Sequence, residues 1–170
     1  LIELIVVIAI IAVLAAILIP SLMGYVGKAS LRTANSNAKA VATNSATIIS
    51  DLEAEGVYLD SSNLDSDELN TAALVFTGDS TKKAKIGSTD YTLASAEYFK
   101  AAVEKAAGLK KGSRWQVQFD ATGDVVAAAY AKDTGNSYIG TFPTESTSKN
   151  QYEDFAAAMK GAVKTAAESK

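Results

Sequence analysis

The first third of the chain differs from the rest in its hydrophobic pattern. All 16 residues from Leu4 to Ile19 are apolar. As an α-helix this run measures about 24 Å at ~1.5 Å per residue, and its apolar neighbours extend it toward the ~20 residues that cross a bilayer core. A cleaved signal peptide is a weaker interpretation, because no basic residue precedes the run and the helical pattern continues past Pro20. We therefore expect residues 1–24 to form a helix that needs lipid or other helices on every side.

Past Gly27 the same helical pattern becomes amphipathic. Apolar and small residues recur at alternating intervals of three and four, which places them in one stripe along a helix. The stripe comprises Leu31, Ala34, Ala38, Val41, Ser45, Ile48 and Leu52. The residues expected on the other, polar side are Lys28, Arg32, Asn35, Lys39, Thr43 and Ser50. We predict that residues 25–55 continue the first helix, pack against a single head domain through the stripe, and stop at Gly56, since glycine readily adopts the left-handed conformation that follows a helix.

The remainder of the chain, residues 57–170, has the mixed pattern of a globular α+β head domain. Capping residues predict three helices: Asp65 to about Val75, Ser95 to near Gly108, and Asn150 to about Ala167. Alternating polar and apolar residues predict a strand at Arg114–Asp120. After a turn at residues 121–123, Val125–Ala131 is expected to be its return strand and Ser137–Phe142 a third strand. The Ser/Thr-rich segment from Thr141 to Ser148 is expected to be an exposed loop. The predicted fold class is therefore α+β, with the long helix packed on a small antiparallel sheet and additional helices.

Composition limits the chemistry that the chain can carry. It has neither cysteine nor histidine, which excludes disulfides, thiol nucleophiles and His-dependent triads. Two Ser-x-x-Lys sequences lack the partner motifs of a catalytic site, and the acidic stretch from Asp60 to Glu68 lacks the residue order of a calcium loop. With 16 basic and 19 acidic residues and a net charge of -3, the chain shows no strong nucleic-acid signal. We expect no enzyme activity, no catalytic residue, no cofactor and no metal.

Two residues depart from the pattern of the apolar segment. Glu3 places a carboxylate at its edge, and an acid in a membrane segment is a functional candidate because its burial in lipid is costly. The plainer interpretation is that Glu3 only reaches the headgroups. Pro20 removes a backbone donor and leaves the carbonyl of Ala16 without its partner, which predicts a kink or a loosened turn.

The stretch LIELIVVIAIIAVLAAILIP resembles the N-terminal helix of type IV pilins. In that family a mature N-terminus reading roughly aromatic-Thr-Leu-Ile-Glu precedes an apolar helix and then a proline. LIEL, the apolar run and Pro20 match this pattern in order and spacing, so that Leu1 would be the third residue of a processed subunit. Ala12 stands where many pilins have a glycine, and the disulfide that closes the C-terminal region of many pilins has no counterpart here.

The resemblance implies a structural subunit, expected to be a major pilin. Its implied partners are the cytoplasmic membrane, which holds it as a single-pass protein before assembly, the pilus assembly machinery, and identical subunits in an extracellular helical filament; host or abiotic surfaces are further candidates. In pilins the glutamate pairs with the N-terminal ammonium of a neighbouring subunit, a role this implies for Glu3. The residues expected to act in assembly are Glu3, Leu4, Ile8, Ile11, Ala12, Leu14, Ala15 and Pro20. The alternatives are a pseudopilin of a type II secretion system and, less favoured, a single-pass membrane-anchored binding module.

Overall fold

One helix dominates the computed structural model, which describes residues 2–60, 74–120, 122–133 and 138–168. Helix α1 covers Ile2–Ala54 and is uninterrupted over 53 residues, Pro20 included. At ~1.5 Å per residue it is about 80 Å long. Gly56 follows it with a φ of 76°, the left-handed conformation expected there. The ammonium of Lys82 donates to the carbonyl oxygen of Glu55 at 2.6 Å, so a cation also covers the negative end of the helix dipole.

The head domain consists of short antiparallel strands and two further helices. In chain order its elements are β1 Val57–Leu59, β2 Phe76–Gly78, β3 Lys83–Ile86, β4 Thr89–Thr92, α2 Ala96–Ala106, β5 Arg114–Phe119, β6 Val125–Ala131, β7 Gly140–Phe142 and α3 Phe155–Glu168. Strand β1 pairs with β2 and strand β3 with β4, while β5, β6 and β7 form a three-stranded sheet in that order. The α+β prediction is therefore confirmed, with the long helix packed on small antiparallel sheets.

Strand β6 is buried on both of its faces. Ala128 and Tyr130 belong to the main core, which the sheet shares with α1 and α2. Ala127, Ala129 and Ala131 point the other way and belong to a second core with α3. Because successive side chains of a strand alternate between faces, this strand needs apolar residues at every position. Its run of alanines lets a helix approach on either side.

The helix and strand predictions succeed where the pattern is long and fail where it is short. Helix α2 begins as predicted, with the Ser95 hydroxyl accepting from the Tyr98 N–H at 3.1 Å, and strands β5 and β6 lie within one residue of their predicted bounds. The four strands from β1 to β4 were not predicted, because each has three or four residues. Most of the helix predicted from Asp65 to about Val75 lies outside the described part of the chain, and its last two residues, Leu74 and Val75, are not helical.

The predicted cap of the last helix is wrong by four residues. Helix α3 begins at Phe155 and does not follow directly after Asn150. The Asp154 carboxylate accepts from the Ala157 N–H at 2.8 Å, so Asp154 supplies the helix cap. Asn150 has a left-handed backbone with a φ of 56°, which is incompatible with the first turn of a helix.

Candidate assembly surface

The apolar half of α1 is exposed on all sides. Seventeen large apolar side chains between Ile2 and Val26 are at least half exposed. Of the residues assigned to assembly, Glu3, Leu4, Ile8, Ile11, Ala12, Leu14 and Pro20 are exposed, and Ala15 is partly exposed. In the described part of the chain this is the one helix long and apolar enough to cross a membrane, and none of its most hydrophobic stretch is buried. An uncovered apolar surface of this size marks a site of contact with lipid or protein.

Glu3 lies in the first turn of α1, where it is exposed. The free N–H groups at the start of a helix carry a partial positive charge, so an acidic side chain is favourable there. The carboxylate thus ends the apolar surface on the side away from the head. The structure places no other acidic side chain between Ile2 and Val26, so any polar contact that this surface makes through an acid depends on Glu3.

The second half of α1 is the surface on which the head is built. The seven stripe positions were predicted to pack against it, and all seven are buried: Leu31, Ala34, Ala38, Val41, Ser45, Ile48 and Leu52. Ala42 and Ile49 are buried as well, so the contact stripe is wider than predicted. One helix therefore changes, within a turn or two after Val26, from exposure on every side to burial along one face.

The prediction that Asn35 lies on the polar side of α1 is wrong. Its side chain is only 4% exposed and reaches the chain on both sides of the turn after β7. The Asn35 carbonyl oxygen accepts from the Thr141 N–H at 3.0 Å and the Ser146 N–H at 3.2 Å. Its amide nitrogen donates to the Ser146 carbonyl oxygen at 2.9 Å. A single side chain thus satisfies three buried backbone groups more than 100 residues away along the chain.

The expectation that the segment from Thr141 to Ser148 is an exposed loop is wrong at two of its residues. The side chains of Thr141 and Ser146 are buried. The Thr141 hydroxyl donates to the Thr144 carbonyl oxygen at 2.6 Å and lies 3.0 Å from the Ser146 hydroxyl. We call Asn35, Thr141 and Ser146 the buried polar cluster. A signal for it was present in the sequence, since Asn35, Ala42 and Ile49 are spaced by seven and so lie on one side of the helix.

Strand β7 approaches the backbone of α1 beside this cluster. A Cβ atom added to Gly140 would lie 2.0 Å from the carbonyl carbon of Ala34, which no side chain could tolerate. Only glycine therefore allows the strand to approach the helix closely enough for Asn35 to reach the Thr141 N–H. The cluster and Gly140 together fix the head at one position along α1.

The described residues contain no group of three or more side chains arranged to hold a metal ion. Comparisons with known proteins give no further guide, because no family model, no curated protein and no solved structure matches this chain. The architecture itself, a long apolar N-terminal helix followed by a small antiparallel-sheet domain, is pilin-like.

Proposed function

We propose that this chain is the structural subunit of a type IV pilus, held in the cytoplasmic membrane by the first half of α1 and assembled through that half into an extracellular filament. One observation carries the proposal: a single continuous helix is apolar and uncovered up to Val26 and is the central packing element of the head from Leu31 onward. A helix that served only the head would not need the first half.

The energetics require a partner for the exposed half. Burying a large apolar side chain is worth ~1.5–3 kcal/mol, so covering the seventeen exposed ones is worth more than ~20 kcal/mol. This exceeds the ~5–15 kcal/mol by which an ordinary domain is stable. The segment is therefore not compatible with a subunit that stays isolated in water, and lipid before assembly and other helices after it are the environments that suit it.

Transfer from lipid to a bundle of identical helices changes apolar burial little, since both surroundings are apolar. Packing and polar pairing then decide which register the helices adopt. Glu3 supplies the polar element, through the pairing with a neighbouring N-terminal ammonium that the pilin resemblance implies. A slip of one helix along another would leave this carboxylate buried without a partner, which is strongly unfavourable.

The proposal is tested by replacing the wild-type gene with a Glu3→Ala variant and comparing it with Glu53→Ala, an exposed glutamate of the same helix outside the apolar half. We expect both variants to reach the membrane in normal amounts, because removing Glu3 makes the anchor more apolar. Electron microscopy should show filaments for the wild type and Glu53→Ala and few or none for Glu3→Ala.

Two outcomes contradict different parts of the proposal. Absence of filaments from the wild-type chain in cells that express it refutes the filament function. Filaments of normal number from Glu3→Ala, without wild-type subunits present, refute the role of Glu3 and leave the filament function standing.

A further inference from the structure

Charged side chains are segregated along the part of α1 that carries the head. Lys28, Arg32 and Lys39 lie toward its N-terminal end and Asp51 toward its C-terminal end, and all four are exposed. Glu53 is exposed as well, but it lies in line with the buried Asn35, at the edge of the contact with the head. At ~100° per residue the three cations fall within a sector of ~40°, and Asp51 lies ~120° around the axis from them. The uncovered face of α1 thus has two charged flanks. The basic flank lies along one side near the N-terminal end of this part of the helix, and the acidic flank lies along the other side near its C-terminal end.

These four charges have no ion-pair partner within the described residues. The ion pair found there joins the Lys82 ammonium and the Glu55 carboxylate at 3.0 Å, so Glu55 is already engaged inside the subunit. The carboxylates of Asp51 and Glu55 also raise the pKa of Tyr98, after the larger effect of its burial. Because Asp51 is exposed and makes no ion pair within the described residues, its charge is available to a partner outside the subunit.

The face between the two flanks can be covered at small cost in lost hydration. The Thr33 and Thr47 hydroxyls donate to carbonyl oxygens one turn earlier, at 2.9 Å and 3.0 Å. The Asn44 amide does the same at 2.8 Å. Because a buried polar group is costly mainly when it lacks a hydrogen bond, these side chains do not oppose a neighbour that displaces water.

We propose that this face of α1 is a head-to-tail interface with a second copy of the chain, in which Lys28 and Arg32 of one copy lie level with Asp51 of the next. The midpoint of the two cations is 21 residues from Asp51, so the copies are displaced by about 30 Å along the helix axis at ~1.5 Å per residue. The inference rests on the proposed filament. Since the two patches lie on different sides of the helix, the contact repeats from copy to copy and does not close into a dimer.

Phosphates of membrane headgroups are a weaker partner for the basic flank. The headgroup layer extends only ~5–8 Å beyond the hydrocarbon core. At ~1.5 Å per residue beyond Val26, it reaches Lys28 at about 3 Å and borders Arg32 at about 9 Å, whereas Lys39 lies about 20 Å away. A headgroup partner for the basic flank would also give no reason for the acidic charge of Asp51 on the other flank. A second copy accounts for both flanks.

The native chain has no cysteine, so introduced thiols report this contact directly. In filaments of the double variant Arg32→Cys with Asp51→Cys, a short bifunctional maleimide should give a ladder of cross-linked multimers. Within one copy the two positions are about 28 Å apart at ~1.5 Å per residue, too far for the reagent, so every link joins two copies. The matched control is the double variant Thr33→Cys with Asp51→Cys. Thr33 lies at almost the same position along the helix axis as Arg32 but on the other flank, so this variant should give no ladder.

A charge exchange provides the second test. Arg32→Glu and Asp51→Arg should each lower the filament yield tenfold or more, since like charges then meet, and the double exchange should restore most of it. Two results overturn this inference and leave the proposed function standing. In the first, filaments form normally but the variant with thiols at positions 32 and 51 gives no ladder; in the second, the control variant gives an equal ladder. Absence of filaments from the wild type overturns the proposed function and this inference together. If no ladder forms and unassembled wild-type subunits, but not Arg32→Glu, recruit anionic phospholipid in vesicles of mixed composition, the partner is lipid and the inference is overturned.

Discussion

Replacement of Asn35 by alanine tests the buried polar cluster most directly. The change leaves two buried N–H groups, of Thr141 and Ser146, and the Ser146 carbonyl oxygen without their partner. Each unsatisfied buried group costs about 1–3 kcal/mol. Water entering the vacated space recovers part of this, so we expect a loss of about 3 kcal/mol. For a domain of this size that corresponds to a fall in Tm of about 10 °C.

The assay is urea or thermal unfolding of a fragment that starts after Gly24, so that the apolar half of α1 does not cause aggregation. Asn44→Ala is the matched control, because Asn44 is on the same helix and its side-chain hydrogen bond within the described residues is a local one, to the Ala40 carbonyl oxygen one turn away. Alanine is the better helix former by a few tenths of a kcal/mol, so this control should unfold within about 0.5 kcal/mol of the wild type.

The reasoning is refuted if the free energy of unfolding of the Asn35→Ala fragment lies within 1 kcal/mol of the wild-type value. Fluorescence and circular dichroism must give coincident transitions, which excludes separate unfolding of a loosened C-terminal region. Such a result would mean that the segment around Thr141 and Ser146 satisfies its backbone groups without the helix. The cluster would then not fix the position of the head.

Three further outcomes follow from the same packing. Deleting residues 1–24 should leave a soluble monomer that unfolds cooperatively, because the buried face of α1 begins beyond them; an aggregated or molten product would contradict this boundary. Ser45→Ala should stabilise that fragment by about 1 kcal/mol, because the Ser45 hydroxyl is buried without a hydrogen-bond partner in the described residues; destabilisation would show that the hydroxyl is satisfied. In a filament, the backbone hydrogen bonds of the helix should persist through Ala12, because alanine favours helix by about 1 kcal/mol over glycine. Any unwinding should lie between Ala15 and Ile19, before Pro20. A filament structure in which the helix is open at Ala12, or unbroken through Ile19, would refute this.

The long helix and its stripe could be predicted from sequence because their signals are repeated many times. Spacings of three and four residues are sustained from Leu31 to Leu52, and the one polar residue of the stripe, Ser45, does not hide the pattern. Strands β1 to β4 offer no such repetition, since a strand of three or four residues shows at most two alternations. Their existence depends on pairing partners and on the core that they cover, which a local pattern does not contain.

Asn35 was misplaced for a different reason. A polar residue next to the stripe is ordinarily solvated, and its burial here depends on three backbone groups contributed by residues 141–146. The seven-residue spacing of Asn35, Ala42 and Ile49 places Asn35 beside buried positions, but the helix sequence does not reveal which groups its side chain binds. The start of α3 was misplaced similarly, because Asn150 and Asp154 are both good capping residues and only the left-handed backbone at Asn150 decides between them.

The position of the head along α1 needs a feature that breaks the repeat of the stripe. Spacings of three and four recur every seven residues, so a slip of seven residues, about 10.5 Å at ~1.5 Å per residue, would bring most stripe positions onto other apolar residues. Such a slip would place Ala42 where Asn35 lies, and alanine offers the Thr141 and Ser146 backbone groups no hydrogen bond. A single buried polar residue is known to fix register in this way in coiled coils, at some cost in stability. In the proposed filament the first half of α1 makes contacts with neighbouring subunits, and a head displaced by two turns would no longer match them. Asn35 therefore links the fold of the head to the geometry of the proposed filament.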